Sequence, residues 1–236
     1  MATHGKRRHL KRLAAPKAMS IMRKGARYLK KPSAGRHKLT ESVPLLVLLR
    51  DELKLAADRR EAKAILSKGR VLVDGKKVTD EGFAMGLMDV VSLPLLGKHY
   101  RIVLTNGRLK PKEITETEAA GKLCRITGKK LVKGGRMQLE FHDGRSCMIE
   151  REEDRFKLGD TVRLAVPAQK ITSFMKMQKG SRCYVFKGKH AGEMAELQET
   201  LERAGSTATD ARLSGAGGEF ATRKDYVFVV DDNFDA

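Results

Sequence analysis

The sequence of 236 residues has no tryptophan, only three cysteines and no long apolar run, and each absence excludes a class of protein. Cys124, Cys147 and Cys183 are odd in number, far apart and without a CxxC pair, so neither a disulfide framework nor a zinc ribbon is expected. The richest apolar stretch, Val43–Leu49, contains a proline and falls far short of the roughly 18 residues that a membrane span needs. No apolar segment follows the charged N-terminus, which argues against a secretory signal. We therefore expect a protein with reduced thiols and no membrane partner.

Acidic residues are missing from the first forty positions, which hold thirteen lysines and arginines. The whole chain carries a formal charge of +19, whereas His190–Ala236 has a balance of −6. A segment with charge of one sign repels itself and needs a polyanion for neutralisation. Nucleic acid is the expected polyanion. A membrane surface is the weaker alternative, because the basic stretch has no sustained amphipathic apolar face.

Aromatic residues are scarce, at 5% of the chain. Proteins that read single strands stack bases on aromatic side chains, so this scarcity favours a folded RNA or a duplex bound through its phosphates and shape. Glycines and prolines scattered among the bases of the first forty residues predict an arm that is disordered when free or folded along RNA when bound. One short helical stretch, Ala18–Lys24, is expected within it.

The pattern after residue 42 predicts two helices followed by a hairpin. Ser42 is a candidate N-cap for the first helix, and Asp58 with Glu61 forms a D-x-x-E variant of the capping box for the second. Asp74-Gly75 is a signal for a type I′ hairpin turn. The predicted unit carries bases on its second helix and at its hairpin.

From His99 onward the sequence is typical of β-structure. Asn106-Gly107 and Asp143-Gly144 predict two hairpins, and Thr115–Gly121 predicts a short helix between them. This alternation fits a small all-β domain of about 70 residues.

The last segment predicts a strand, a glycine-rich basic loop and a second strand. Tyr226–Val230 is a clear apolar strand near the end. Gly205–Gly218 is rich in small and polar residues and is expected to be a loop, and Glu196–Glu202 reads as partly helical.

Signals for catalysis or metal binding are weak throughout. No GxxxxGK[ST] phosphate loop and no GxSxG nucleophile motif occurs, and the six histidines form no HxxxH or HxH set. Glu152-Glu153 fits a solvated face, and Cys147 near His142 fits a small core residue better than a nucleophile with its base. We therefore expect no enzyme, no metal site and no cofactor.

Short segments along the whole chain carry a family resemblance. They are KPSAGRHKL at Lys31–Leu39, ESVPL at Glu41–Leu45, LLRDELKLA at Leu48–Ala56, VDGK at Val73–Lys76, MDVVS at Met88–Ser92, KITSF at Lys170–Phe174, FATR at Phe220–Arg223 and VFV at Val227–Val229. In this order they resemble small-subunit ribosomal protein four of the archaeal and eukaryotic e-type, and the compact length resembles the archaeal members.

The resemblance implies an α+β, multidomain fold. A basic N-terminal extension at residues 1–42 precedes an alpha-L (helix-helix-hairpin) RNA-binding domain at 43–94. A central small β domain at 95–173 precedes a KOW-type, SH3-like β-barrel with an acidic C-terminus at 174–236, where Gly180, Val185, Gly188 and Gly192 match the KOW motif. The implied function is a structural constituent of the small ribosomal subunit that binds and stabilises folded ribosomal RNA in the cytoplasm, supporting translation.

Basic side chains of the arm and the alpha-L domain, with three in the C-terminal domain, are the predicted RNA contacts. Arginines are expected to supply forked phosphate contacts and lysines point charges. The predicted set is Lys6, Arg7, Arg8, Lys11, Arg12, Arg23, Lys24, Arg27, Lys30, Lys31, Arg36, His37, Lys38, Arg59, Arg60, Lys63, Lys68, Arg70, Lys76, Lys77, Lys187, Lys189 and Arg223.

Two other functions and one further partner stay open at this point. A pseudouridine synthase carrying an alpha-L module needs a large α+β catalytic domain, for which the β region is too small. A free KOW-containing assembly or transcription factor is the second alternative. After Gly192 the chain departs from the family pattern with Glu193–Glu196, so this side of the barrel is expected to face solvent or a basic neighbouring protein.

Overall fold

The computed structural model describes residues 9–150, 155–202, 209–231 and 234, and it consists mainly of short strands with few helices. Two compact units divide the chain. One comprises Met1–Ile102 with Arg108–Glu113, and the other comprises Val103–Gly107 with Ile114–Ala236. The fold is therefore β-rich α+β, as expected at this coarse level.

The arm has a defined fold in the described residues. Strand β1 (Leu10–Lys11) pairs antiparallel with β2 (Tyr28–Leu29), and a 3-10 turn at Arg12–Ala14 follows β1. From β1 to β2 five apolar side chains are buried: Leu10, Ala15, Met19, Ile21 and Leu29. Their burial supplies the apolar contacts that a purely basic segment would lack.

The helix predicted at Ala18–Lys24 is wrong. Met19 instead forms an isolated bridge with Leu109, and the Leu109 N–H donates to the Ala18 carbonyl at 2.8 Å. Backbone groups that pair with another strand are not available for helical bonds, so this contact replaces the helix.

After the arm, one short strand and three helical segments come first and six strands follow them. In order they are β3 (Val43–Pro44), α1 (Leu45–Val47), a π-helix (Leu48–Glu52), α2 (Arg59–Ser67), β4 (Leu72–Val73), β5 (Lys76–Lys77), β6 (Ala84–Met85), β7 (Val90–Leu93), β8 (Lys98–Thr105) and β9 (Arg108–Ile114). The N-cap predicted at Ser42 is wrong, because Val43 and Pro44 pair with β6 and the helix begins at Leu45.

Strands β5, β4, β7, β8 and β9 form one five-stranded sheet in that order. The hairpin turns at Asp74-Gly75 and Asn106-Gly107 are confirmed, and all four residues have positive φ (48°, 72°, 51° and 71°), as a type I′ turn requires. Since β7 pairs with β8, this sheet continues across residue 95, where the sequence places a domain boundary.

A second five-stranded sheet lies in the other unit. Its region contains α3 (Glu116–Ala119), β10 (Gly121–Leu131), β11 (Met137–Phe141), β12 (Ser146–Ile149), β13 (Thr161–Ala165) and β14 (Ile171–Met175), with the strand order β12-β11-β10-β13-β14. The short helix is confirmed, with Thr115 and Glu118 forming a capping box. The core of the sheet is apolar and includes Cys124, Ile126, Leu139, Phe141, Val162 and Leu164.

A buried ion pair lies in the same unit. Lys122 Nζ is 2.9 Å from an Asp143 carboxylate oxygen, both side chains are 0% exposed, and Arg145 Nε lies 3.2 Å from the same oxygen. Burial alone would raise the pKa of Asp143, but the Lys122 and His142 charges, with hydrogen bonds from Lys122 and the Arg145 N–H, together outweigh it and lower this pKa to about 2. The carboxylate stays ionised inside the protein because two cations share it.

The C-terminal part forms a third five-stranded sheet. Its strands are β15 (Arg182–Val185), β16 (Met194–Glu202), β17 (Thr209–Gly215), β18 (Gly218–Arg223) and β19 (Val227–Val229), in the order β18-β17-β16-β15-β19. The strand predicted at Tyr226–Val230 is confirmed over its central residues.

Two predictions in this part are wrong. Glu196–Glu202 is extended and not helical, because Ala195 and Leu197 face the core while Glu196 between them is exposed. The loop predicted at Gly205–Gly218 contains β17 and the start of β18; its first four residues lie outside the described part of the chain.

Candidate nucleic-acid interface

Helix α2 presents the first group of candidate residues. Asp58 is its N-cap and accepts a 2.8 Å hydrogen bond from the Glu61 N–H, while the Glu61 carboxylate accepts from the Ala57 N–H at 2.8 Å. The cap is confirmed, although Glu61 reaches one residue further back than a standard capping box does. Ala62 and Leu66 are fully buried, so the opposite side of the helix faces solvent.

Basic side chains cover the exposed side of α2 and the hairpin that follows. Seven predicted RNA contacts lie here and all are exposed: Arg59, Arg60, Lys63, Lys68, Arg70, Lys76 and Lys77. The type I′ turn brings β5 alongside β4, which places Lys76 and Lys77 at the edge of the sheet. Exposed cations on a rigid helix and hairpin are suited to phosphate groups.

Glu81 neutralises two of the predicted contacts. Its carboxylate accepts hydrogen bonds from Arg59 Nε at 2.9 Å and Arg59 Nη2 at 2.5 Å, and from Lys30 Nζ at 2.9 Å. The hydrogen bond from Arg59, with that from Lys30, lowers the pKa of Glu81 to about 2. Lys30 belongs to the arm, so this carboxylate ties the arm to the helix-hairpin region.

Arg36 is held by a second acidic residue. Its guanidinium forms an ion pair with Asp74, whose side chain is 1% exposed, and lies 5.0 Å from the centre of the Phe83 ring. Asp74 also accepts from the Val90 N–H at 3.0 Å. The turn residue of the hairpin therefore binds the arm as well as shaping the turn.

His37 is held by a third acidic residue. Its Nε2 lies 3.0 Å from an Asp89 carboxylate oxygen, and the two side chains are 6% and 0% exposed. The same oxygen accepts from the Gly86 N–H at 2.9 Å. A Cβ atom on Gly86 would lie only 2.3 Å from His37 Nδ1, so the ring packs directly on this glycine.

Two further arginines of the arm bind its own backbone. Arg12 donates from Nη1 to the Met22 carbonyl at 2.9 Å, and Arg23 donates from Nη1 to the Ala15 carbonyl at 2.6 Å. Arg23 Nη2 also reaches the Pro16 carbonyl at 3.2 Å. These guanidinium groups close the loop between β1 and β2 and are partly occupied by it.

The remaining predicted contacts fall into three groups. Lys6, Arg7 and Arg8 lie outside the described residues. Lys31 and Lys187 are partly buried. The exposed ones are Lys11, Lys24, Arg27, Lys38, Lys189 and Arg223.

Sequence reasoning missed the acidic residues that hold the arm. It assigns no role to Glu81 or Asp89 and treats Asp74 only as a turn residue. Their position in the sequence could have indicated this role. They lie in the segment that follows the acid-free arm, and a carboxylate buried there needs a cation as its partner, which the arm can supply.

The two residues that could suggest catalysis make other contacts in the structure. His142 Nδ1 accepts from the Arg125 N–H at 3.2 Å, and Cys147 packs against the apolar core of its sheet. Within the described part of the chain, no group of three or more His, Cys, Asp or Glu side chains could hold a metal ion. Among the same residues, no helix has the length and apolar character needed to cross a bilayer.

Three family models match the chain. They are described as ribosomal family S4e, at residues 96–171, the RS4NT (NUC023) domain, at residues 4–40, and the S4 domain, at residues 43–91.

Relatives of similar length match nearly all of the sequence. Small ribosomal subunit protein eS4 of Methanocaldococcus jannaschii is 43% identical over 240 residues, which cover 98% of this chain and 97% of that protein. The protein of the same name from Methanothermobacter thermautotrophicus is 40% identical over 232 residues, with 98% and 95% covered. The crystal structure of the 30S ribosomal protein S4e from Thermoplasma acidophilum is also similar, with a TM-score of 0.69 and 36% identity over 82% of this chain and 96% of that one.

Proposed function

The chain belongs to the S4e family of ribosomal proteins, and we propose that it is a structural component of the small ribosomal subunit that binds ribosomal RNA. It is not an enzyme, in keeping with this family. The observation that carries the proposal is the basic, exposed side of α2 and its hairpin within the region that matches the S4 domain. As a ribosomal protein it works in the cytoplasm.

The basic residues divide into two groups with different tasks. Arg12, Arg23, Lys30, Arg36 and His37 bind carbonyls or carboxylates of the protein and position the arm. The exposed bases bind RNA phosphates, and they are Lys11, Lys24, Arg27, Lys38, Arg60, Lys63, Lys68, Arg70, Lys76, Lys77, Lys189 and Arg223. Arg59 and Arg223 do both, because Arg59 is 63% exposed while it pairs with Glu81 and Arg223 is 51% exposed while it pairs with Asp225.

Prior docking of the arm lowers the entropic cost of binding. A disordered basic tail must be ordered when it meets RNA, which costs part of the interaction energy. Here three acidic residues, Glu81, Asp74 and Asp89, hold the part of the arm from Lys30 to His37. RNA then meets a surface whose shape is already set.

We keep the four-part division at residues 42, 94 and 173 as a proposal. It is supported by the ranges matched by the RS4NT and S4 domain models and by the S4e family model. The sheet that crosses residue 95 places the first strands of the central part with the hairpin of the S4-like part. The third sheet is the proposed KOW barrel.

An acidic patch on one face of the third sheet is the proposed contact for a basic neighbouring protein. Glu193, Glu196 and Glu219 are exposed, and Ser214 is the register partner of both Glu196 and Glu219. Phosphate groups would be repelled there, whereas lysines or arginines of a ribosomal neighbour would be attracted.

Salt-dependent binding tests the RNA-binding surface. The full chain is titrated against small-subunit ribosomal RNA from a methanogen at several salt concentrations. Each neutralised phosphate contributes roughly 0.7 to 0.9 to the slope of log affinity against log salt. A variant with four exposed bases changed to glutamine, at Arg60, Lys63, Lys76 and Lys77, should flatten the slope by roughly 3.

A matched control removes the same charge elsewhere. Its four substitutions are Lys133→Gln, Arg136→Gln, Lys170→Gln and Lys179→Gln, all at exposed positions of the other unit. We expect a clearly smaller change of slope. Equal losses in the two variants would mean that RNA binding follows net charge alone, and the proposed surface would be wrong.

A further inference from the structure

Strand β9 carries basic residues at one edge of the first five-stranded sheet. It pairs with β8 on one side and is the last strand in the order β5-β4-β7-β8-β9. Arg108 and Lys110 are exposed and alternate with Leu109, which is 4% exposed. Strand geometry therefore puts the two cations on one face, with Cα atoms roughly 6.8 Å apart. This spacing is comparable to that of neighbouring phosphates along a nucleic-acid strand.

The arm lies against the same strand. The Leu109 N–H donates to the Ala18 carbonyl at 2.8 Å, and Met19, 1% exposed, forms a bridge with Leu109. Lys17, next to this contact, is exposed. The basic arm and the basic edge of the sheet thus meet at Leu109, and all of these residues belong to one compact unit.

Among the described residues, no ion pair neutralises Arg108 or Lys110. The nearby Glu113 lies 3.6 Å from Lys98, and among the described ion pairs neither Arg108 nor Lys110 takes part. This contrasts with Lys30 and Arg36 of the arm, which have carboxylate partners. The exposed edge therefore keeps its full positive charge for an external anion.

We propose that Arg108 and Lys110 bind successive phosphate groups of the ribosomal RNA, which extends the RNA-binding surface from the arm onto the edge of the sheet. This proposal rests on the proposed function and adds a contact that the basic pattern of the first 77 residues does not contain. Arg108 provides a fork for two phosphate oxygens, and Lys110 provides a compact charge. The competing explanation is that these residues prevent another chain from pairing with the strand edge, a role for which lysine and the adjacent Pro111 are typical.

The test compares two double variants of the full chain with the unchanged protein. Arg108→Gln with Lys110→Gln removes both charges, and Arg108→Lys with Lys110→Arg keeps them. Binding to small-subunit ribosomal RNA from a methanogen is measured across salt concentrations, and sedimentation velocity reports self-association. We expect the neutral variant to lose roughly 1.4 to 1.8 from the salt slope, and the charge-preserving variant to lose little.

The outcomes separate the two proposals. If the unchanged protein shows no salt-dependent binding, the proposed function fails. If it binds and the neutral variant keeps the same slope, only the edge-strand contact is wrong. If the neutral variant self-associates while its monomer binds RNA with an unchanged slope, the bases protect the edge and the proposal is overturned. A flattened slope in a monomeric neutral variant supports it.

Discussion

Gly86→Ala should weaken the docking of the arm without replacing any charged residue. An added Cβ would lie 2.3 Å from His37 Nδ1 and 2.4 Å from Cγ, closer than non-bonded atoms can approach. The His37 ring is 6% exposed and packed against the fully buried Asp89, so it has little room to move aside. The ring must leave its site or tilt away from the carboxylate.

The cost follows from the hydrogen bond that is lost. A hydrogen bond to a charged group contributes about 1.5 to 3 kcal/mol, and the 3.0 Å contact between His37 Nε2 and Asp89 is of this kind. At 1.4 kcal/mol for each factor of ten, local opening of the arm should become roughly 10- to 150-fold more frequent. The rest of the fold should keep its stability, because the arm opens as a local segment.

Hydrogen exchange at the Ser33 amide measures this opening. The Ser33 N–H donates to the Gly82 carbonyl at 2.6 Å, so it exchanges only when the arm lifts from the residues that follow α2. We expect its exchange to accelerate by the same factor in Gly86→Ala. Gly35→Ala is the matched control in the arm, because an added Cβ there meets only the Ser33 carbonyl oxygen, at 4.0 Å. Unchanged exchange at Ser33 in Gly86→Ala would refute the docking of the arm through His37.

Three further predictions concern stability and thiol chemistry. Lys122→Met leaves Asp143 as a buried charge with Arg145 as its remaining cation, so urea unfolding should show a loss of about 3 kcal/mol, and a loss below about 1 kcal/mol would contradict the buried pair. The pKa of Asp143 is lowered from 3.8 to about 2 in the folded protein, so its ionised carboxylate stabilises the fold fully above pH 4, and this contribution is lost as the pH falls to 2. The melting temperature should therefore drop between pH 4 and pH 2, and Asp143→Asn should remove part of that drop. Burial raises the pKa of Cys183 to about 12, so a thiol reagent at pH 8 should label the partly exposed Cys147 in the native protein and leave Cys183 unmodified. Labelling that persists in Cys147→Ala would contradict this difference in reactivity.

Turn and cap chemistry made the local structure predictable. Asp74-Gly75 and Asn106-Gly107 adopt the positive φ values that their residue types permit at low cost. Asp58 caps α2 as predicted, and Thr115 caps α3 in a capping box with Glu118. Each of these signals depends on a few adjacent residues. The cap predicted at Ser42 is the exception, because Val43 and Pro44 pair with the distant strand β6.

The predictions are wrong where the structure depends on pairing between segments that are far apart in the sequence. Glu196–Glu202 has acidic residues at helical spacing, yet it is extended because β16 pairs with β15 and β17 and buries Leu197 in the core of this sheet. Ala18–Lys24 likewise gives up helical bonds for a contact with Leu109, about ninety positions away. A pattern of adjacent residues does not indicate which distant segment a strand will pair with.

By itself, the sequence determined where positive charge is concentrated and which family the chain resembles, since both are properties of residue order. Only the tertiary structure decided which bases remain available for RNA. Arg36 and His37 stand in the same basic run as Lys38, but Asp74 and Asp89 hold the first two while Lys38 is exposed. The physical reason is that a buried carboxylate must be paired, and the fold brings each of these acids to an arm residue more than thirty positions earlier.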